Sequence, residues 1–203
     1  METAPNQIIT HEYGFHTIIK LDPQTKKKTK ATNYHPDGKT IRWIVYYDKY
    51  IKKIYYQSDG KTIDTIHYFD PKTREELKEI VFNSYGLIDR IKEFEYDLKT
   101  GNLIKTKTYK NGTIHHITKF DSKTFPIERI HYKNGEINFI IKFEYNPETG
   151  IELKRTILKP NGTVECSIEG LHNPGSTVTI TKYNPDKTVA QTFQFLPKTV
   201  NHT

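Results

Sequence analysis

The chain has 203 residues, of which 34% are hydrophobic, 27% charged and 12% aromatic, with a formal charge of +7. That aromatic fraction excludes a disordered chain, while the polarity points to an ordered fold with much surface per residue. The single cysteine, Cys166, excludes an intrachain disulfide and any site built on several thiolates, and no apolar run reaches the roughly 18–20 residues of a spanning helix.

Residues 1–12 are expected to be an N-terminal extension, 13–197 one tandem β-hairpin domain and 198–203 a C-terminal tail. The start METAPNQIITHEYG lacks the basic and apolar regions of a signal peptide, which reads as a soluble chain or a mature form.

From residue 13 onward one phrase recurs. Its short-turn glycines are Gly14, Gly38, Gly60, Gly86, Gly112, Gly135 and Gly162, and an eighth window, NPDKTVAQTFQFLP, has Lys187 where glycine is expected. The spacing defines a unit of about 25 residues, the mark of a repeat architecture. YKNGTIHHITKF at 109–120 and YKNGEINFIIKF at 132–143 are two successive copies.

Each unit holds two kinds of turn. Asp37-Gly38, Asp59-Gly60, Asn111-Gly112, Asn134-Gly135 and Asn161-Gly162 suit the positive φ of two-residue hairpin tips. DPQT at 22–25, DPKT at 70–73, DLKTG at 97–101, DSKT at 121–124 and NPETG at 146–150 are longer connections, with proline presetting φ and the acid or amide capping the turn.

Between turns lie segments such as Ile137, Phe139, Ile141, Phe143 and Tyr145, alternating with polar residues in the period-two pattern of a half-buried strand. DPKTREELKEIVFNS at 70–84 carries helix-start signals, yet Leu77 stands where Leu153 stands in NPETGIEL, and that equivalence favours a strand. The pairs Ile41/Ile44, Ile63/Ile66, Ile88/Ile91, Ile114/Ile117 and Ile137/Ile140 break strict alternation. Either both faces are partly covered or a bulge resets the register.

The expected fold is therefore all-β: an elongated, twisted antiparallel meander of tandem β-hairpins, with a small β-propeller of about 50-residue blades as the alternative.

YNPETGIELKRTILKPNGTV at 145–164, YDLKTGNLIKTKTYKNGTI at 96–114 and YHPDGKTIRWIVYYD at 34–48 resemble the uncharacterised tandem-repeat proteins of phytoplasmas. More loosely they are similar to membrane-occupation-and-recognition-nexus and tyrosine–aspartate repeats. The resemblance implies a surface or secreted bacterial protein, in the manner of an effector that acts in a host cell, and brings with it no catalytic residues.

Candidate chemistry is sparse. His67 and His131 precede tyrosines, His115 and His116 are expected to face opposite sides of a strand, and Cys166 is a nucleophile only if a histidine approaches it. No catalytic residue, metal site or cofactor is expected. The lysines of KKKTK at 26–30 suit a phosphate contact or an edge strand that resists strand addition. The Asn-x-Thr sequons at Asn111, Asn161 and Asn201 are glycan acceptors only in a eukaryotic secretory route, and hairpin chemistry explains the first two more simply.

The candidate binding residues are an aromatic and lysine ladder: Tyr46, Tyr47, Lys49, Tyr50, Lys52, Lys53, Tyr55 and Tyr56. The competing reading is cross-strand packing in a sheet with little core behind it. The function expected is a non-enzymatic scaffold that binds a host protein, with nucleic acid or another acidic polymer as the alternative partner.

Overall fold

The computed structural model describes residues 6–171 and 177–196; the C-terminal tail at 198–203 and the sequon at Asn201 lie outside the described residues. Among the described residues, sixteen antiparallel strands follow one another in a single open sheet whose spatial order is the chain order. The chain divides into two units, one running to Phe94 and including Tyr109–Asn111, the other comprising Glu95–Thr108 and the residues from Gly112 onward.

In the first unit, β1 (Gln7–Thr10), which lies inside the expected N-terminal extension, is followed by β2 (His16–Leu21), β3 (Lys28–Tyr34), β4 (Ile41–Tyr47), β5 (Ile51–Tyr56), β6 (Ile63–Phe69), β7 (Glu76–Phe82) and β8 (Ile88–Tyr96, its last two residues in the second unit). Each pairs with the next without interruption. The propeller alternative fails on this point, since separate four-stranded blades would break the ladder every fourth strand. Residues 70–84 form a turn and strand β7, as the equivalence of Leu77 with Leu153 indicated. Strand β3 is interior, paired with β2 and β4, so Lys28 and Lys30 do not guard an edge.

In the second unit, β9 (Leu103–Lys110, its last two residues in the first unit) is followed by β10 (Thr113–Phe120), β11 (Pro126–Lys133), β12 (Glu136–Tyr145), β13 (Glu152–Leu158), β14 (Val164–Glu169), β15 (Val178–Tyr183) and β16 (Val189–Phe195). From β10 onward the pairing is again continuous.

The turns explain why the strands stop where they do. Asn111 and Gly112, and Asn134 and Gly135, all have positive φ and join their strands through two residues, as a type I′ turn requires. The other dipeptides depart from that expectation. At Asp37-Gly38, Asp59-Gly60 and Asn161-Gly162 only the glycine is left-handed and the loops are longer, because the side chain ahead of the glycine accepts hydrogen bonds from the backbone beyond it. Asp37 accepts from the amides of Lys39 and Thr40, both at 2.9 Å, and from the Thr40 hydroxyl; Asp59 takes the amides of Lys61 and Thr62, both at 2.8 Å.

The opposite-end turns follow the same logic, with a left-handed residue four positions after the capping side chain: Asp22 with Lys26, Asp70 with Arg74, Asp97 with Gly101 and Asn146 with Gly150. Asp97 accepts from Lys99 N at 3.0 Å and Thr100 N at 2.8 Å, and Asn146 from Glu148 N at 2.9 Å and Thr149 N at 3.0 Å. At Gly150 the free space matters as well as φ, for a Cβ there would come within 2.8 Å of the Phe125 ring.

The isoleucine pairs are reconciled by bulges. Tyr34 pairs with Ile41 and Asn33 with Trp43, so Arg42 is an extra residue; Asp64, Asp89 and Asn138 are skipped in the same way. With one residue looped out, isoleucines three apart return to the same face. Their reward is a row of direct cross-strand partners: Ile18, Thr32, Ile44, Ile54, Ile66, Ile80 and Ile91. Ile44, Ile54 and Ile66 are buried there, while Ile19, Ala31, Val45 and Ile51 form a second core on the reverse face with Leu21, Trp43, Tyr47 and Phe69 packed against it. Both faces are thus partly covered, mainly by neighbours in the same sheet.

Candidate functional site

Alternation along β4 and β5 decides where the ladder residues go. Tyr46, Lys52 and Tyr56 share the face of the isoleucine row, whereas Tyr47, Lys53 and Tyr55 lie on the reverse face with Trp43. Lys49 and Tyr50 belong to the three-residue turn between the two strands, where Lys49 Nζ stands 5.4 Å from the Tyr50 ring centre. The eight residues therefore do not make one surface. They make two sets joined by a turn.

The first set extends further than the sequence stretch that announced it. Direct cross-strand pairing runs Lys20, Lys30, Tyr46, Lys52, Tyr68, Lys78 and Glu93, one residue from each strand from β2 to β8. Lys30 Nζ lies 5.2 Å from the Tyr46 ring centre and Lys52 Nζ 5.8 Å from that of Tyr68, both within cation–π range. Lys78 meets Glu93 at 3.6 Å, and Tyr109 donates to the same carboxylate at 3.0 Å. Burial and the neighbouring carboxylate raise the Tyr109 phenol above its ordinary range. Beside this row are two open hollows, one of about 480 Å³ and one of about 620 Å³, which share Tyr50 and Tyr68 as lining residues. Tyr68 and Lys78 sit outside the predicted stretch. The signal that marks them is the register: equivalent positions in successive repeats become lateral neighbours.

The reverse set is packed more tightly on itself. Lys53 Nζ is 4.5 Å from the Tyr55 ring centre and 5.0 Å from that of Trp43, so its charge is held between two aromatic faces. His67 stands edge-on to Tyr55, with ring centres 5.6 Å apart, and pairs with Glu76 at 2.5 Å. This set reads as cross-strand packing.

In the second unit, the expectation that His115 and His116 face opposite sides is overturned. Their rings lie 5.2 Å apart with the two Nδ1 atoms at 3.0 Å, and His131, the cross-strand partner of His116, lies 5.5 Å from the His116 ring. Positions equivalent to His115 in the other repeats, such as Asp64, Asp89 and Asn138, are bulged, and a bulge turns two successive side chains toward one side. His131 stacks on Phe139 at 4.3 Å; burial, then the Arg129 charge, then His115 lower its tendency to protonate. The sequence shows the histidines but not the bulge that gathers them.

Cys166 is half-buried, with Ile157 and Lys182 as its cross-strand partners. Burial and Glu165 push its thiol up, away from the reactive thiolate.

A family model described as a protein of unknown function (DUF2963) matches residues 12–55, 48–80 and 56–109, so the repeats of that stretch are similar to an uncharacterised domain that matches more than once in tandem. No curated protein matches the chain. Among solved structures, TarM is similar at a TM-score of 0.34 and 12% identity over 51% of this chain and 19% of its own. TcdB2-TccC3 without its hypervariable C-terminal region matches at 0.33 and 11% over 86% of this chain and 11% of its own. The pneumococcal O-GlcNAc transferase GtfA matches at 0.23 and 8% over 69% and 20%. The chain spans a fifth or less of each of these three, and likenesses this weak carry no argument about its activity.

Proposed function

We propose that the chain is a non-enzymatic interaction scaffold that holds an acidic protein surface along the row Lys30, Tyr46, Lys52, Tyr68 and Lys78. The observation that carries this reading is the alternation of ammonium and phenol on five consecutive strands. Strands lie roughly 4.8 Å apart, so the row presents a cation about every 10 Å with a rigid ring between. Lysines in that arrangement meet carboxylates of a partner, and tyrosines supply contact area at low entropic cost. Among the described residues Lys78 has a carboxylate partner in Glu93, and the formal charge of +7 favours the same kind of partner. That the partner is a host protein, met by a secreted bacterial effector, rests on the resemblance of the repeat signature to phytoplasma proteins.

A single-stranded nucleic acid is the second reading, favoured by the same interleaving of rings and lysines. The immobilised chain is to be incubated with plant and insect lysates at low and high salt, in the unaltered form, as Tyr46→Ala/Tyr68→Ala, and as Tyr55→Ala on the reverse face. A protein captured by the unaltered chain and Tyr55→Ala, less at high salt than at low, and weakened by about 2 kcal/mol or more in the double variant, supports the scaffold. Nucleic acid released by salt supports the second reading. Equal capture by all three forms removes the row from function.

A further inference from the structure

The geometry points to a binding site for a divalent first-row transition metal ion, with zinc(II) as the probe, formed by His115, His116 and His131. One ring nitrogen from each of the three lies within 4.8 Å of the other two. A tetrahedral zinc with metal–nitrogen distances near 2.0–2.1 Å needs ligands roughly 3.3 Å apart, which small rotations of side chains already facing one another can supply. Imidazole is the ligand suited to zinc, copper and nickel, and the absence of a carboxylate from this group makes calcium or magnesium the wrong ions.

Three features of the fold make this more than proximity. His116 and His131 are directly opposed across β10 and β11, which fixes the distance between their backbones. The Phe139 ring beneath His131 restricts its orientation. His115 is exposed and His116 and His131 are half-buried, so an ion can enter from solvent and keep water in its remaining coordination position. Arg129, on the strand of His131, opposes the ion; it donates to Thr118 at 3.1 Å and lies 5.9 Å over Phe143. The ion would clamp β10 to β11 next to the two-residue turn at Asn111-Gly112. The site is independent of the lysine and tyrosine row, which lies in the other unit.

The test is titration of the tag-free chain with zinc chloride, followed by calorimetry and by the imidazole proton signals in the NMR spectrum. One ion per chain is expected, with three of the nine histidines shifting. His115→Gln, His116→Gln and His131→Gln should each weaken binding at least roughly 10–100-fold, the loss seen when only a supporting partner is removed. Because His115 is exposed, its variant keeps the fold and isolates the ligand effect. No zinc uptake by the unaltered chain, or undiminished uptake by His115→Gln, overturns the site.

Discussion

At the scale of single residues, the repeat is a device for placing left-handed backbone at fixed intervals, and Lys187 shows its limits. It stands where seven earlier units have glycine and adopts φ +70 all the same. A non-glycine residue in that region costs roughly 1–2 kcal/mol, part of which glycine would give back through its freer unfolded chain. Lys187→Gly should therefore stabilise the β15–β16 hairpin by about 0.5–1 kcal/mol, seen as slower amide exchange in those strands.

The capping aspartates make a second residue-scale prediction. Hydrogen bonds from the Thr40 hydroxyl and from the Lys39 and Thr40 amides hold the Asp37 carboxyl down at about 2, and similar bonds lower Asp22, Asp59, Asp70, Asp97 and Asp186. A carboxyl with a depressed folded pKa lends stability that is whole above its unfolded value near 3.8 and is lost as pH falls through the folded value. Near-UV dichroism should show acid unfolding beginning below about pH 4. Replacing these six aspartates by asparagine, which the chain itself uses at Asn146 and Asn161, should flatten that acid limb while keeping the turns.

At the scale of elements, the bulge gives the sheet its two-sided order. The isoleucines three apart were visible in the sequence, but flat alternation and bulging predict the same letters, and only the pairing distinguishes them. For the same reason the sequence gathered eight ladder residues into one face and sent His115 and His116 to opposite ones. A neighbour across a strand is set by register, which single-strand patterns do not contain. Deleting Asp64 leaves Ile63 and Ile66 two apart, on one face of a regular strand, and should cost less than the roughly 2–4 kcal/mol of emptying a buried isoleucine site such as Ile66, which is 7% exposed. Urea denaturation of the deletion beside Ile66→Ala tests this. A deletion as costly as Ile66→Ala would show that the bulge itself is needed.

At the scale of the whole molecule, the chain order of the strands was the most legible property, because connections of two to eight residues can join only antiparallel neighbours. The partner proposed for the lysine and tyrosine row is the least legible, since a surface records its charge and shape and not what it meets. Protection is expected to be uneven along the sheet. Strands β1 and β16 are exposed at every residue, with Val189 at 58% and Phe195 at 48%, while β2 to β6 carry the buried positions of the first unit. Hydrogen exchange should be fastest in β1 and β16 and slowest in β4 and β5. Uniform protection would mean that the array opens as one block.

The bulges recur soon after the turns that start their strands, and that phase has a consequence for inheritance. A stretch of coding sequence equal to one unit begins and ends at the same point of the pleat. Its duplication or loss by recombination leaves every remaining strand facing as before, with inward residues still inward. Length is therefore a character that can drift between generations without a folding penalty at the join.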